Sequence, residues 1–309
     1  MRGIRKLFFV IFVIVIIAVL FLILEISCMV IVGKRLIVEV EENGLYYFKP
    51  NQDGWYSHRL RVPSARINNI GARGEDIELD LLNTTKKYIF LGDSFTFGWE
   101  LSDEQTISSY FLKGGSFDDN QVINYGNGGF GVYHMEEMYN FHNNLFNKGD
   151  IVVMVLIEAD FYRLMVPYEE SFVKEVFWKI REKSSLVSFL WASLRHMMGG
   201  FKEDGGFKGE GSVFEENGDN LLEFNEAVEE KGQKLVYVFY EYDYTDYSAY
   251  ARDFCHKKGL FCITDVPSYI DVVRNRGGEV YAADAGHPSA ESNEEVAKRI
   301  TNFINYEIN

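Results

Sequence analysis

The stretch "KYIFLGDSFTFGWEL", residues 87–101, joins an apolar run to a serine. Its first half is typical of a buried strand, and its second half places Ser94 directly behind a Gly-Asp pair. A serine in this position is either the cap of the next helix or a nucleophile at the end of a strand. Ser102, followed by Gln105, has the spacing of a capping box. That spacing assigns the capping role to Ser102 and favours a nucleophile at Ser94.

Apolar runs alternate with helical patterns beyond this stretch. The further strands are predicted at 121–126, 150–158 and 234–240, with a weaker one at 260–265. The helices are predicted at 103–112, 132–145, 169–198, 214–230, 246–258 and 289–306. Such alternation predicts a parallel sheet covered by helices on both faces, which is an α/β fold of three layers, an α/β/α sandwich.

Two segments stand outside this alternation. Residues 34–83 are expected to form a β-rich lead-in, with "RLIVEV" and "LYYF" followed by turns, so the domains are predicted as 1–33, 34–83 and 84–309. Residues 199–212, "GGFKEDGGFKGEGS", combine glycine with charge and show no period. That composition predicts a mobile loop inside the last domain.

The N-terminus is apolar enough to enter a membrane. Residues 7–24 form an unbroken apolar run of 18 residues, which continues to residue 32 with only Glu25 and Ser27 as polar interruptions. Such a run is long enough to cross about 30 Å of hydrocarbon. The apolar part of a cleaved signal peptide is shorter, about 7 to 15 residues. We therefore expect an uncleaved transmembrane helix that contacts the membrane through residues 7–32.

Basic residues on the two sides of this run suggest its orientation. Arg2, Arg5 and Lys6 precede the run, and Lys34 and Arg35 follow it. The excess on the N-terminal side predicts a cytoplasmic N-terminus and an extracytoplasmic catalytic domain, by a small margin.

The net charge is −15, and residues 1–33 carry +2, which leaves −17 for the rest after subtraction. A surface this acidic gives no basic patch for nucleic acid, so no nucleic-acid partner is expected. It mildly favours neutral or small substrates near the site.

The three cysteines do not have the spacing of metal ligands. Cys255 and Cys262 flank the turn "HKKGLF" and could pair outside the cell, but free thiols are the favoured expectation. No metal and no cofactor are expected.

A base for Ser94 is available near the C-terminus, in "DAGHPS". A serine hydroxyl needs a base to become a nucleophile, and the base needs a partner that fixes its tautomer. His287 and Asp284, three residues before it, have the chemistry for these two roles. Of the other histidines only His134, beside a glycine-rich loop, is a rival base.

The motifs resemble those of the SGNH (GDSL) hydrolases. The resemblance rests on "GDSFTFG", a glycine loop after the next strand and "DAGH". It covers roughly residue 66 to the C-terminus, and an "RINNIGAR" lead-in with Arg66, Asn68, Gly71 and Arg73 is similar to that of membrane-anchored members associated with cell-surface polysaccharide. It implies a flavodoxin-like sheet and an esterase-type activity.

The resemblance also implies roles for single residues. Ser94 would be the nucleophile, His287 the base and Asp284 its orienting acid, with the N–H groups of Ser94 and Gly129 in the oxyanion hole. The family also uses an asparagine at the end of the third strand, where this sequence has Ala159. Loss of one oxyanion donor costs about 10² to 10³ in rate, so activity depends on what replaces it.

Four residues near these motifs are weaker candidates for substrate contact. Asn127 could supply the missing donor, although a role in the turn is favoured. Phe95, Phe97 and Phe130 would suit small or aromatic-stacked substrates, and packing in the core explains each of them equally well.

Three other chemistries fit less well. "GNGGFG", residues 126–131, matches a dinucleotide fingerprint with Glu158 as its ribose ligand, but it follows the second strand of the sheet and leaves Ser94 unexplained. The residue two places after Ser94 is Thr96, where a nucleophile elbow needs glycine. Metal-assisted hydrolysis lacks ligands at any usual spacing.

Two hypotheses of different classes follow. The first is a serine-dependent ester hydrolase or O-acyltransferase that acts on small acyl esters of a surface polysaccharide through a Ser94 acyl-enzyme. The second, suggested by Ala159, is a catalytically weakened glycan-binding or scaffold protein of a polysaccharide assembly system. Hydrolysis and acyl transfer share the acyl-enzyme, so the sequence does not separate them.

Overall fold

The fold was analysed in a computed structural model of the chain. The structure describes residues 2–31, 33–41, 43–56, 64–82, 84–115, 117–163, 176, 179–181, 183–197 and 211–308. Within these ranges, one helix is long and apolar enough to cross a membrane, α1 (Arg2–Ile31), with a candidate span of Arg5–Ile31. A signal sequence would have the same character.

The lead-in folds into two short antiparallel pairs. Strand β1 (Val38–Val40) pairs with β2 (Tyr46–Phe48), and β3 (Gln52–Gly54) pairs with β4 (Ala65–Ile67). The apolar side chains of this lead-in are not separate from the rest of the chain, because Leu45 joins the same hydrophobic cluster as the central sheet.

The central sheet has five parallel strands in the order β6-β5-β7-β8-β9. They are β5 (Tyr88–Gly92), β6 (Val122–Asn124), β7 (Ile151–Leu156), β8 (Lys234–Phe239) and β9 (Phe261–Ile263). All five predicted strands are therefore confirmed. The second strand pairs outside the first, while the later strands follow in sequence order on the other side, which is the flavodoxin-like order.

The helices beyond α1 lie in chain order between and after these strands. They are α2 (Ser94–Phe97), α3 (Ile107–Gly115), α4 (Val132–Phe141), α5 (Ser185–Met197), α6 (Gly211–Glu230), α7 (Asp246–Lys258), α8 (Val266–Asn275) and α9 (Ala290–Phe303). Short 3-10 turns occur at Asp103–Gln105 and Glu158–Tyr162, and a π-helical turn, Ile304–Ile308, follows α9.

The side chains of the buried strands alternate between two hydrophobic clusters. Along β7, Val152 and Met154 face a cluster that includes residues of α4, α6 and α7, whereas Ile151 and Val153 face one that includes residues of α3, α8 and α9. Both faces of the sheet are covered, so the predicted three-layer α/β/α arrangement is confirmed.

Several helices depart from their predicted bounds. The predicted helix at 132–145 ends as α4 at Phe141, before a 3-10 turn at Asn143–Leu145. The predicted helix at 103–112 is divided into a 3-10 turn and α3, and the whole of α8 was missed. The predicted helix at 169–198 is described from 185 onward as α5, and most of its earlier part lies outside the described residues. The predicted loop at 199–212 also lies outside them, except that its last two residues begin α6.

The expectation of free thiols at Cys255 and Cys262 is wrong, because the structure joins them in a disulfide. Gly259, in the left-handed conformation at φ 67°, ends α7 and turns the chain into β9. That turn brings the two cysteine Cα atoms to 6.1 Å, inside the range that a disulfide requires. Cys28 is the free cysteine.

Candidate active site

Ser94 is the first residue of the one-turn helix α2, at the carboxyl end of β5. Asp93 caps this helix, since its Oδ1 accepts the N–H of Phe95 at 2.8 Å. The cap of the helix at Ser94 is therefore Asp93 rather than Ser102, which caps only the following 3-10 turn through its N–H bond to Gln105. A Cβ at Gly92 would lie 2.0 Å from Oγ1 of Thr96, so this sharp turn requires glycine.

The loop before α9 brings a histidine to this serine. Nε2 of His287 lies 2.9 Å from Oγ of Ser94, across 193 residues of sequence. On the other side of the ring, Nδ1 of His287 contacts Oδ2 of Asp284 in a short hydrogen bond. The structure thus brings together the three residues that the sequence singled out, in the order serine, histidine, aspartate.

Asp284 holds its own loop as well as the imidazole. Its Oδ1 accepts the N–H groups of Gly286 and His287, both at 3.0 Å. Burial alone would raise the pKa of Asp284, but these hydrogen bonds and the contact with the imidazole outweigh it and lower the pKa below its ordinary value. The group is therefore a carboxylate at neutral pH. Ala285 lies between the bonded residues at φ 59°, a left-handed conformation that the tight turn imposes.

The glycine-rich loop after β6 passes close to Ser94. The N–H of Asn127 donates to the carbonyl of Gly92 at 3.1 Å. A Cβ at Gly126 would lie 2.2 Å from the backbone nitrogen of Phe97, and Gly129 has φ 84°. Within the described residues, the N–H groups of Ser94 and Gly129 donate to no protein acceptor. These two amides thus remain able to donate to a bound ligand.

The weaker candidates lie in different environments. Phe130 and Phe97 are both 0% exposed and pack in hydrophobic clusters, so core packing accounts for them. Asn127 is also buried, and its Nδ2 donates to the carbonyl of Tyr46 at 3.2 Å, which ties the glycine-rich loop to β2. Phe95 is partly exposed and its ring centre lies 5.6 Å from that of His287, so it borders the site.

Ala159 lies on the exposed side of the 3-10 turn that follows β7. Its neighbour Glu158 is exposed too, whereas Asp160 is buried and its Oδ2 accepts the N–H of Ile157 at 2.9 Å. The carboxylate of Asp160 is therefore engaged by its own turn.

Arg163, which sequence reasoning missed, joins three loops of the site. Its Nη1 lies 2.8 Å from Oδ2 of Asp93, 2.6 Å from Oδ1 of Asp160 and 3.0 Å from the carbonyl oxygen of Phe130, so its two N–H groups are shared among these three acceptors. Burial and the neighbouring Asp93 raise the pKa of Asp160 well above its ordinary value, and Arg163 opposes that rise. The only local feature of the sequence that could have indicated this role is the i,i+3 spacing of Asp160 and Arg163.

Arg73 holds the other end of the nucleophile helix. Its guanidinium donates to the carbonyls of Phe97 at 2.6 Å, Gly98 at 2.8 Å and Leu101 at 2.6 Å, and it pairs with Asp103 at 2.7 Å. The carbonyls of Phe97 and Gly98 are unpaired acceptors at the end of α2, and a cation satisfies them well. The resemblance pointed to Arg73 without giving it a role.

Two further aromatic residues at the site were not predicted. The Trp99 ring is stacked against His287 with centroids 6.0 Å apart, and it is partly exposed. The hydroxyl of Tyr242 donates to the carbonyl of Gly286 at 3.1 Å and so supports the histidine loop.

His134, the rival base, has a structural role. Its Nδ1 accepts the N–H of Gly131 at 3.2 Å, and its ring packs between Tyr46 and Phe130. Burial, with a smaller contribution from Arg163, lowers the pKa of His134 to about 4. No group of three or more histidine, cysteine or acidic side chains that could hold a metal occurs in the part of the chain that the structure describes.

Comparisons with known proteins give structural likenesses alone. No family model matches the sequence, and no curated protein does. A member of the lipolytic G-D-S-L family from Veillonella parvula DSM 2008 is 12% identical, with a TM-score of 0.43 over 72% of this chain and 98% of that one. A mutant of an acetyl-xylooligosaccharide esterase from Geobacillus stearmophilus is 14% identical, with a TM-score of 0.44 over 74% of this chain and 97% of that one. At these values neither activity nor substrate transfers by similarity.

Proposed function

We propose that this protein is a serine-dependent ester hydrolase or O-acyltransferase that acts through a Ser94 acyl-enzyme. The observation that carries the proposal is the contact of 2.9 Å between Nε2 of His287 and Oγ of Ser94, with Asp284 on the opposite ring nitrogen. This is the arrangement that a general base needs in order to activate a hydroxyl.

In the proposed reaction, Oγ of Ser94 attacks the carbonyl carbon of an ester while Nε2 of His287 takes the hydroxyl proton. Asp284 stabilises the imidazolium, and the N–H groups of Ser94 and Gly129 donate to the oxyanion. When the C–O bond breaks, His287 gives its proton to the leaving alkoxide, which departs as an alcohol. The remaining acyl-enzyme is then attacked by water or by a sugar hydroxyl, and His287 removes the proton of that acceptor. The bond between the acyl group and Oγ of Ser94 breaks, and His287 returns the proton to Oγ.

The proposed setting is the outer face of a membrane, with α1 as the anchor and the N-terminus in the cytoplasm. The basic residues before the apolar run support this orientation. The Cys255–Cys262 disulfide supports it too, because such bonds persist in oxidising compartments.

The proposed substrate is a small O-acyl ester of a surface polysaccharide. The partly exposed rings of Phe95 and Trp99 border the Ser94–His287 pair and are suited to stacking against a sugar. The net charge of −15 favours an acceptor without negative charge.

The test is turnover of p-nitrophenyl acetate by the full-length protein in detergent. Ser94→Ala and His287→Ala should each lower the rate by about 10³-fold or more, because each removes an essential part of the nucleophile. Ser102→Ala and His256→Ala are controls at a half-buried and an exposed position, and both should retain the wild-type rate. Equal rates in all five proteins would refute the esterase.

A glycan-binding or scaffold protein is the second candidate, and the observation in its favour is the exposed Ala159 in place of an oxyanion donor. This candidate predicts no turnover above background, together with binding of an acylated polysaccharide that Ser94→Ala leaves unchanged. An esterase instead predicts turnover above background that Ser94→Ala abolishes.

A further inference from the structure

The carboxylate of Glu25, the acid inside the apolar helix α1, is hydrogen-bonded by the start of α5. It accepts the hydroxyl of Ser184 at 2.7 Å, the N–H of Ser185 at 2.7 Å and the N–H of Leu186 at 3.2 Å. A carboxylate stabilises a helix N-terminus because it satisfies unpaired N–H groups and complements the helix dipole. Glu25 therefore caps α5 from another helix, and it fixes the first turn of α5 against α1.

The position of Glu25 along α1 fixes the height of this contact. At 1.5 Å per residue, Glu25 lies about 27 Å from Leu7, where the apolar run begins. The hydrocarbon layer is about 30 Å thick, so Glu25 lies near its outer boundary if the run begins at the inner one. A carboxylate at that depth is costly unless it is paired, and the donors of α5 pair it. The first turn of α5 thus lies at the border between acyl chains and headgroups.

Two apolar side chains of α5 are exposed. Leu190 is 56% exposed and Leu194 is 49% exposed, and their i,i+4 spacing places them on one face of the helix. On another face, Ser188 is buried and its hydroxyl donates to the carbonyl of Arg181. Helix α5 has 13 residues, or about 20 Å, which is too short to cross a bilayer.

We propose that α5 is a second membrane contact, an interfacial helix that lies beside α1 with Leu190 and Leu194 among the lipid acyl chains. Lipid is the occupant because α5 contacts α1, the helix that crosses the membrane in the proposed setting, and both helices have exposed apolar side chains, which on α1 include Val30 and Ile31. Interfacial helices have one apolar face and aromatic residues, here Phe189 and Trp191. The inference rests on the proposed anchoring by α1.

Two attachments instead of one would restrict how the α/β domain tilts over the bilayer. A single helix leaves the domain free to rotate about its connection. A second helix, joined to the first through Glu25, tethers the chain to the bilayer at a second point along its sequence.

The test is the depth of a fluorophore in the full-length protein, reconstituted into vesicles of phosphatidylcholine and phosphatidylglycerol. Single cysteines, Leu190→Cys and Leu194→Cys, are introduced in a Cys28→Ser background and labelled with an NBD group. The matched control is Val272→Cys on α8, an apolar side chain of similar exposure at 46%. The reference for insertion is Ile16→Cys in the middle of α1.

Quenching by lipids brominated on the acyl chains should be at least about threefold stronger at positions 190 and 194 than at position 272. Strong quenching at Ile16→Cys with equal, weak quenching at 190, 194 and 272 would overturn the interfacial helix and leave the anchor intact. Absent quenching at Ile16→Cys would overturn both. Labels at 190 and 194 that are shielded from brominated lipid and also from aqueous iodide would overturn lipid as the occupant, because a protein partner would then cover this face.

Discussion

The two halves of the candidate site are held in different ways. The serine half, Ser94 with its one-turn helix, is fixed by side chains that come from distant segments, above all Arg73 and Arg163. The histidine half is fixed mostly by itself, because Asp284 binds both the ring and the backbone of His287 three residues away. The geometry of the serine half therefore depends on the whole fold, whereas that of the histidine half depends on a single turn.

Burial follows the same division. The side chains of Asp93 and Asp160 are 1% and 0% exposed and share the Arg163 guanidinium, whereas those of Asp284 and His287 are 12% and 19% exposed. Substitutions in the serine half should therefore lower the stability of the fold as well as the catalytic rate. Substitutions in the histidine half should lower the catalytic rate alone.

The largest effect is expected for Asp284→Asn in the histidine half. The amide cannot hold the imidazole in the required tautomer, so kcat should fall by about 10⁴-fold, as for the same change in other serine triads. The unfolding midpoint in urea should move little, because the lost bonds are local. The control is Asp271→Asn, an exposed carboxylate paired with Arg274 on α8. A loss of less than tenfold would mean that the backbone alone holds the histidine.

In the serine half, Arg163→Met should destabilise the protein strongly. It leaves Asp93 and Asp160 buried beside each other without their cation, which costs about 3 to 5 kcal/mol of the free energy of unfolding. The matched control is Arg274→Met, since Arg274 also bridges two carboxylates, Asp243 and Asp271, but on the surface. An exposed pair contributes about 0 to 1 kcal/mol.

The measurement for these two variants is urea unfolding of the detergent-solubilised chain, monitored by tryptophan fluorescence. Equal shifts for Arg163→Met and Arg274→Met would contradict the division between a buried, long-range half and a local one. Activity measured below the unfolding transition should fall only for Arg163→Met, because only that arginine touches the Asp93 and Phe130 loops.

The same division explains what the sequence could predict. Asp284 and His287 were identifiable because they are three residues apart, and Ser94 because a loop serine after a buried strand is a local pattern. The Arg163–Asp93 pair spans 70 residues and the Arg73–Asp103 pair spans 30. No local pattern marks such pairs, since they form only once the strand order has brought the loops together. The disulfide was the less favoured alternative because the cysteine separation depends on the turn after α7, which the sequence does not show.

Ala159→Asn tests whether the serine half lacks a donor. An asparagine amide that reaches the oxyanion should raise kcat by up to about 10²-fold, or about 3 kcal/mol of transition-state stabilisation. Ala159→Asp has nearly the same shape but offers only acceptors when ionised, so it should give no gain. The measurement is kcat for p-nitrophenyl acetate in both variants. Equal rates would show that the side chain at 159 does not reach the reacting carbonyl.

The smallest effect is expected from His134, which makes the stability of the serine half depend on pH. Its pKa is lowered by burial to about 4, against about 6.5 when unfolded. The native state therefore favours the neutral ring, so the stabilisation is complete above pH 6.5 and is lost as the pH falls toward 4. Between pH 7 and pH 5 this one group should cost on the order of 2 kcal/mol of the free energy of unfolding.

Urea unfolding at both pH values should show a smaller loss in His134→Asn than in the wild type, while His256→Asn, at an exposed position, keeps the wild-type loss. Identical losses in all three proteins would mean that the His134 ring takes up a proton without leaving its place between Tyr46 and Phe130.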